Sequence, residues 1–337
     1  MSQIQTMSYF NLPGVSNSSL STFNYDPSLY YKMYITKEIV KKESDAMTLG
    51  SLIHCLILEP EKLDERYVIS NLDEKDYPTG MMLDYINALL QHEIHDDIAH
   101  EAAYIKSGYK INRDKVRENF EKPVNQAYYK ELLDSVGKTL IKQSDFDLAS
   151  TLVSKAEGNP QWDKILPDYD EWQCHNELEI FWDETIDGEI VQLKSKLDQV
   201  FVKCIGDTVH VKYVDYKTDS KNPVHKYLDT FEYYKTYRQL YFYKKAITSW
   251  LKDYYPDFTN HNIHCYICAI DVVRLKSLIY FVDKSYILKG QEEVERDLSA
   301  LIWHHKENKW EYPKHIYDSL ELNSSLTLLD KDFYLQI

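Results

Sequence analysis

The stretch Val209–Lys217, VHVKYVDYK, alternates apolar and polar side chains and then changes character. Counted in twos, one face reads Val209, Val211, Tyr213, Asp215, Lys217. An apolar row on a half-buried strand thus ends in a carboxylate and an ammonium. Two tight-turn signals lie upstream, Asp187-Gly188 and Gly206-Asp207. If each is a two-residue hairpin loop, three strands lie side by side and their facing residues can be counted. Glu177 then faces Asp198, which faces Asp215. Two residues along, Glu179 faces Lys196, which faces Lys217.

Directly opposed side chains have Cβ atoms about 4.5–5.5 Å apart, and like charges there destabilise. A row of three carboxylates calls for a cation. Hard oxygen ligands suit Mg²⁺ or Mn²⁺, and the lysine row offers positive charge to a phosphate. A second reading is a solvated strand end with cross-strand salt bridges. A one-residue bulge would send a row to the opposite face.

The flanking elements give a coarse order. SNSSLSTF, Ser16 to Phe23, reads as a serine-capped helix start, and Asp26-Pro27 as a second start with Asp26 as N-cap. MTLGSLIHCLILEP, Met47 to Pro60, is apolar nearly all round and reads as a buried helix carrying His54. Residues from about 78 to 158 have helix spacing, broken near Gly108 and Pro123. β character begins near Trp172. Helix returns in FEYYKTYRQLYFYKKAITSWL, followed by the strand-like runs IHCYICAIDVV and SLIYFVD and a final helix from about Lys284 to His305. The order suggests an α/β or α+β core with helical additions.

The chain has 337 residues, and no stretch approaches the roughly 20 apolar residues of a membrane span. The N-terminus has neither a basic region nor a long apolar core, so no signal peptide is expected and the expected location is cytoplasmic. The five cysteines are scattered and make no disulfide framework. A net charge of −15 argues against broad, non-specific nucleic-acid binding but allows a narrow basic groove. The 29 tyrosines suit interfaces and base stacking.

LKSKLD, ending at Asp198, and the downstream DYK, with Asp215 and Lys217, resemble the PD-(D/E)xK nuclease motif, with Leu197 where the family name has Pro. More of the chain resembles one branch, the phage and prophage exonuclease VIII-like nucleases related to the RecB nuclease domain. SNSSLSTFNYDPSLYY is similar to their N-terminal signature, GSLIHCLILEP to their GxxxHxxxLEP helix, and RQLYFY to their QxxxY helix through Gln239 and Tyr243. The likeness covers the first 60 residues and about 170 to 312. It implies an α/β (α+β) restriction-endonuclease-like core, a central mixed β-sheet flanked by helices, with a helical insertion. Residues 1–60 would be its N-terminal helices, 61–170 a largely helical insertion, 171–312 the catalytic core and 313–337 a C-terminal extension.

The resemblance also implies roles. His54, Asp198, Asp215 and the backbone carbonyl of Tyr216 would hold Mg²⁺, with Mn²⁺ as substitute. Lys217 would orient or activate the attacking water. Glu177 or Glu179 would serve a second ion or an outer-shell water, and Gln239, Tyr243 and Lys196 would position DNA. Lys235, Arg238, Lys244 and Lys245, on the same helix as Gln239, are candidates to line the approach. The implied activity is exonucleolytic degradation of DNA ends in phage-type recombination or replication, in the host cytoplasm. The implied partners are duplex ends or single strands, a homo-oligomer and a single-strand annealing protein. Two alternatives share the sequence: a structure-specific endonuclease with the same site, and a catalytically silent DNA-binding scaffold. Some relatives carry an iron–sulfur cluster on four cysteines. Here Cys265 and Cys268 sit in an apolar strand-like run without a second close pair and read as buried strand residues. No Walker-type loop is present, so an ATP motor is not expected.

Overall fold

The computed structural model describes residues 9, 12–40 and 45–321. It divides into two compact units, Met1–Gly50 with Lys155–Ile337, and Ser51–Ser154. The described residues among the first 60 follow their local chemistry. Helix α1 spans Asn17–Tyr25 and opens on a capping box. The Ser19 amide donates to Ser16 Oγ at 3.2 Å, and the Ser16 amide donates to Ser19 Oγ at 2.9 Å. Asp26 caps the next short helix by accepting from the Ser28 amide, with Pro27 in its first position. Helix α2, Asp45–Leu58, buries Leu52, Ile53, Cys55 and Leu58 and ends before Pro60.

The Ser51–Ser154 unit has its own apolar core, in which Met82, Tyr85, Ile86 and Leu89 meet Ala99, Ala103, Val116 and Phe120. Its helices include Met81–Leu89, Asp97–Ser107, Arg113–Phe120 and Pro123–Asp134, and Gly108 closes the second in the left-handed conformation. Strands β1 (Tyr67–Ile69) and β2 (Thr139–Ile141) form a parallel pair. The helical reading of this region misses them, because three residues are too few to show an alternation.

The other unit is built on a five-stranded sheet in the order β3-β4-β5-β6-β7. Its strands are β3 (Gln173–Ile186), β4 (Glu189–Ile205), β5 (Thr208–Asp219), β6 (Asn260–Asp271) and β7 (Lys276–Phe281). β5 and β6 run parallel and the other pairs antiparallel. Both hairpins have the two-residue loops the turn signals predict, with φ of 50° at Asp187 and 81° at Gly188. The parallel pair needs a long connection, and this contains helix α3, Thr236–Tyr254. α3 lies over one sheet face, where Tyr213 Oη donates to the Leu240 carbonyl at 2.8 Å and Trp182 meets Phe242 edge-on. Helix α4, Lys284–Glu307, packs against α3 through Gly290, where an added Cβ would lie 2.3 Å from the Tyr237 carbonyl oxygen. A further helix, Lys314–Glu321, follows the helix expected to be last.

On the opposite sheet face Tyr216 meets Trp162, and Lys212 donates to the Ile165 carbonyl. Cys265 and Cys268 are both buried in β6. Three residues apart on a strand, they project to opposite faces. The fold is the expected α/β class, a mixed sheet flanked by helices. Among the described residues no helix is long and apolar enough to cross a membrane.

Candidate active site

Strand register brings the acidic residues together. β3 and β4 pair Asn176 with Gln199, Leu178 with Leu197 and Glu179 with Lys196, the counting expected from the turns. Glu177 and Asp198 occupy the position that this ladder skips. Glu177 has a left-handed φ of 51°, a conformation disfavoured for a residue with a Cβ. Carboxylate oxygens of Glu177 and Asp198 lie within 4.8 Å of each other.

The β4–β5 ladder runs from Ile205 opposite Thr208 to Gln199 opposite Val214 and stops there. This corrects the continuous rows counted from the sequence. Asp198 and Asp215 are not ladder partners, and neither are Lys196 and Lys217. Beyond Val214 the Tyr216 amide donates to Asp198 Oδ2 at 2.8 Å, so a side chain takes the amide. The Tyr216 hydroxyl donates to Gln199 Oε1 at 2.8 Å, fixing the next residue of β4 as well. β5 keeps its pairing with β6, placing Asp215 opposite Ile267 and Lys217 opposite Ala269.

Asp215 is fully buried. Lys217 Nζ donates to its Oδ1 at 2.8 Å, and Gln239 Nε2, from α3, donates to the same oxygen at 3.3 Å. Gln239 also donates to the Tyr243 hydroxyl at 2.5 Å, one helical turn along. Burial alone would pull the Lys217 pKa down. The charges of Asp215 and Asp198 and the hydrogen bond to Asp215 outweigh it, and the net shift is upward. Burial, followed by the charges of Asp198 and Asp215, pushes the Tyr243 hydroxyl well above its ordinary value. Tyr243 is buried, and its hydroxyl accepts from Gln239.

The chain's own lysines answer the repulsion expected of the carboxylate row. Lys196 Nζ lies 2.5 Å from Glu177 Oε2 and 3.9 Å from Glu179 Oε1, while Lys217 balances Asp215. The cross-strand salt bridges of the second reading are therefore present beside the acidic cluster. The donors still suit a hard divalent ion. The carboxylates offer oxygen ligands, and the oxygens of Glu177 and Asp198, within 4.8 Å of each other, are close enough to share one ion.

His54 is half-buried on α2 and follows Gly50 by four residues, on the same helix face. At Gly50 an added Cβ would lie 3.5 Å from Thr218 Oγ1. Arg238 is not available to a substrate, being buried and ion-paired with Asp297 at 2.6 Å and Glu293 at 3.5 Å. Lys235 pairs with Glu293 at 3.0 Å, and Lys245 pairs with Glu184. The sequence reading missed Gln199 as a partner of Tyr216, since a Gln in a strand carries no motif. It also missed Asn17, Tyr227 and Tyr234, which line a cavity with Lys217 and Gln239. The Tyr233-Tyr234-Lys235 run just before α3 was the available signal for part of that wall.

Residues 16–315 match the family described as "PDDEXK-like domain of unknown function (DUF3799)", and the chain belongs to that family. The recognition of a PD-(D/E)xK-type chain is borne out. No curated protein matches. Among solved structures the chain is similar to a "Putative exonuclease" from Eubacterium rectale, at 11% identity, 96% coverage of this chain, 92% of that chain and a TM-score of 0.47. It is also similar to a protein described as SSO0001, at 10% identity, 74% and 96% coverage and a TM-score of 0.22.

Proposed function

We propose that this protein is a metal-dependent deoxyribonuclease, an exonuclease that hydrolyses phosphodiester bonds at DNA ends during phage-type recombination or replication. The observation that carries the reading is the buried Asp215 carboxylate, held between Lys217 and Gln239 and joined through the Tyr216 amide to Asp198, in a chain of a PDDEXK-like family. Asp198, Asp215 and the Tyr216 carbonyl would hold Mg²⁺, with Mn²⁺ as substitute. His54 is added on the strength of the sequence resemblance, and Glu177 or Glu179 would serve a second ion. When bound, the ion supplies positive charge to the phosphate and acidifies water.

The chain's own groups do the rest. Lys217, its pKa raised, enters as an ammonium and donates to a phosphate oxygen or to the attacking water. Gln239, anchored by Tyr243, holds Asp215 in one orientation. Asp198, fixed by the Tyr216 amide, keeps its carboxylate placed before substrate arrives. Lys196, paired with Glu177, would bring a second ammonium beside a bound phosphate.

The proposed setting is cytoplasmic, with DNA as partner and with self-assembly and a strand-annealing protein as further expected partners. The test is incubation with linear, covalently closed circular and single-stranded DNA in Mg²⁺, Mn²⁺ or EDTA. Cleavage of linear DNA alone supports an exonuclease. Cleavage of closed circles would reassign the same site to an endonuclease, and no cleavage would leave a binding protein.

A further inference from the structure

The helix Asp97–Ser107, in the Ser51–Ser154 unit, turns its larger apolar residues away from the core. Its inner face is Ala99, Ala103 and Ser107, all buried. Its outer face carries Ile98 and Ile105, 76% and 69% exposed, with Ala102 between them. Ile94 and Ile111, in the loops before and after the helix, are exposed too. The unit's apolar core is filled without any of these isoleucines. Single exposed apolar residues are common, whereas several on one face mark an interaction site. The face is held at both ends. Asp96 caps the helix by accepting from the amides of Ile98 and Ala99, and the Tyr104 hydroxyl donates to the Ile111 carbonyl at 2.8 Å.

Spacing and charge decide what covers it. Ile98, Ala102 and Ile105 are four and three residues apart, the spacing of the seam between two helices lying side by side. Glu101 and Lys106 flank that seam on opposite sides, five residues apart. We propose that this face joins two copies of the chain in a parallel, two-fold pair. Isoleucine then meets isoleucine, and Ala102 lets the backbones approach. In that arrangement Glu101 lies against the partner's Lys106, and symmetry repeats the contact on the other side. An antiparallel pair would instead set Glu101 against its own copy. Lys106 is available for this contact. It donates to Gln91 Oε1 and has no ion pair among the described residues, while Glu101 shares an exposed pair with Arg113. The seam is short, so the pair belongs to the weak, concentration-dependent class. This inference is independent of the nuclease reading, because it uses no residue of the candidate active site.

The test is sedimentation of the full chain across roughly 1–100 µM, the range in which a weak interface comes apart. Wild type should pass from monomer to dimer. Ile98→Ser combined with Ile105→Ser should stay monomeric throughout. Both side chains are exposed, so their loss spares the core, and an unchanged urea unfolding curve verifies this. Glu101→Lys and Lys106→Glu each place like charges across the seam. Each should weaken the dimer about three-fold or more, the scale of exposed ion pairs. An equimolar mixture of these two variants brings opposite charges together again and should associate as tightly as wild type. A monomer at every concentration would overturn the proposal and leave the face to another protein. A dimer indifferent to the two serines, or a mixture no tighter than either variant alone, would overturn it as well.

Discussion

The backbone amide of Tyr216 donates to the carboxylate of Asp198 at 2.8 Å, just past the last regular pair of β4 and β5, Gln199 with Val214. One residue thereby serves two ends. Asp198 supplies the acceptor that a strand carbonyl would otherwise offer, and its charge is held where Lys217 feels it. Asp198→Asn keeps an acceptor oxygen and loses the charge, whereas Asp198→Ala leaves a buried amide without that partner. Urea unfolding should find Asn within about 1 kcal/mol of wild type and Ala destabilised by about 1–3 kcal/mol. Both should lose DNA cleavage. Equal stability of the two variants would show that the hydrogen bond contributes little.

Lys217 has its pKa raised, because Asp215 and Asp198 outweigh its burial. A raised folded-state pKa means that the ammonium's contribution to stability is complete below the unfolded value, about 10.4. It is lost only as pH climbs through the folded value. The stability difference between wild type and Lys217→Met should therefore stay flat from about pH 6 to 9 and shrink above about pH 10. A difference that vanishes near pH 8 would mean that Lys217 is neutral in the working range and fit to act as a base.

Gln239 bridges Asp215 Oδ1 and the Tyr243 hydroxyl. If Tyr243 works only through Gln239, Tyr243→Phe should lower kcat about ten-fold with KM little changed. The double variant with Gln239→Ala should then be no worse than Gln239→Ala alone, a coupling of the size seen for residues in one network. Additive losses would give Tyr243 a contact of its own.

How much of this was legible beforehand differs from element to element. The caps at Ser16 and Asp26, the two hairpin loops and the Glu179–Lys196 pairing could all be counted, because each depends on neighbours in sequence. The facing of Lys196 and Lys217 could not. It assumed that the β4–β5 ladder continues past Val214, whereas a side-chain acceptor on Asp198 competes for the Tyr216 amide. Arg238 looked like a substrate contact from its place on the helix. Its burial depends on Asp297 and Glu293, acids far along the chain on α4. The cavity beside Lys217 draws on Asn17, β5 and the start of α3, and no local pattern joins them.

The placement of Gln239 depends on how closely α4 lies on α3. A Cβ at Gly290 would come within 2.3 Å of the Tyr237 carbonyl oxygen, which is backbone and has little freedom to yield. Gly290→Ala should cost about 1–3 kcal/mol through overpacking, read as a lowered unfolding midpoint in urea with m unchanged. A neutral effect would show that the two helices separate without strain.

The central claim, that Asp215 and Lys217 form a hydrolytic site for DNA, is tested most directly with end-labelled linear duplex. Wild type, Asp215→Asn and Lys217→Met are incubated with it in Mg²⁺ and in EDTA, with folding of each variant confirmed by its unfolding curve. The account predicts progressive shortening by wild type in Mg²⁺, none in EDTA, and a loss of at least a hundred-fold in each variant, on the order of removing one transition-state donor. Cleavage that survives either substitution at the wild-type rate, or that proceeds in EDTA, would contradict it.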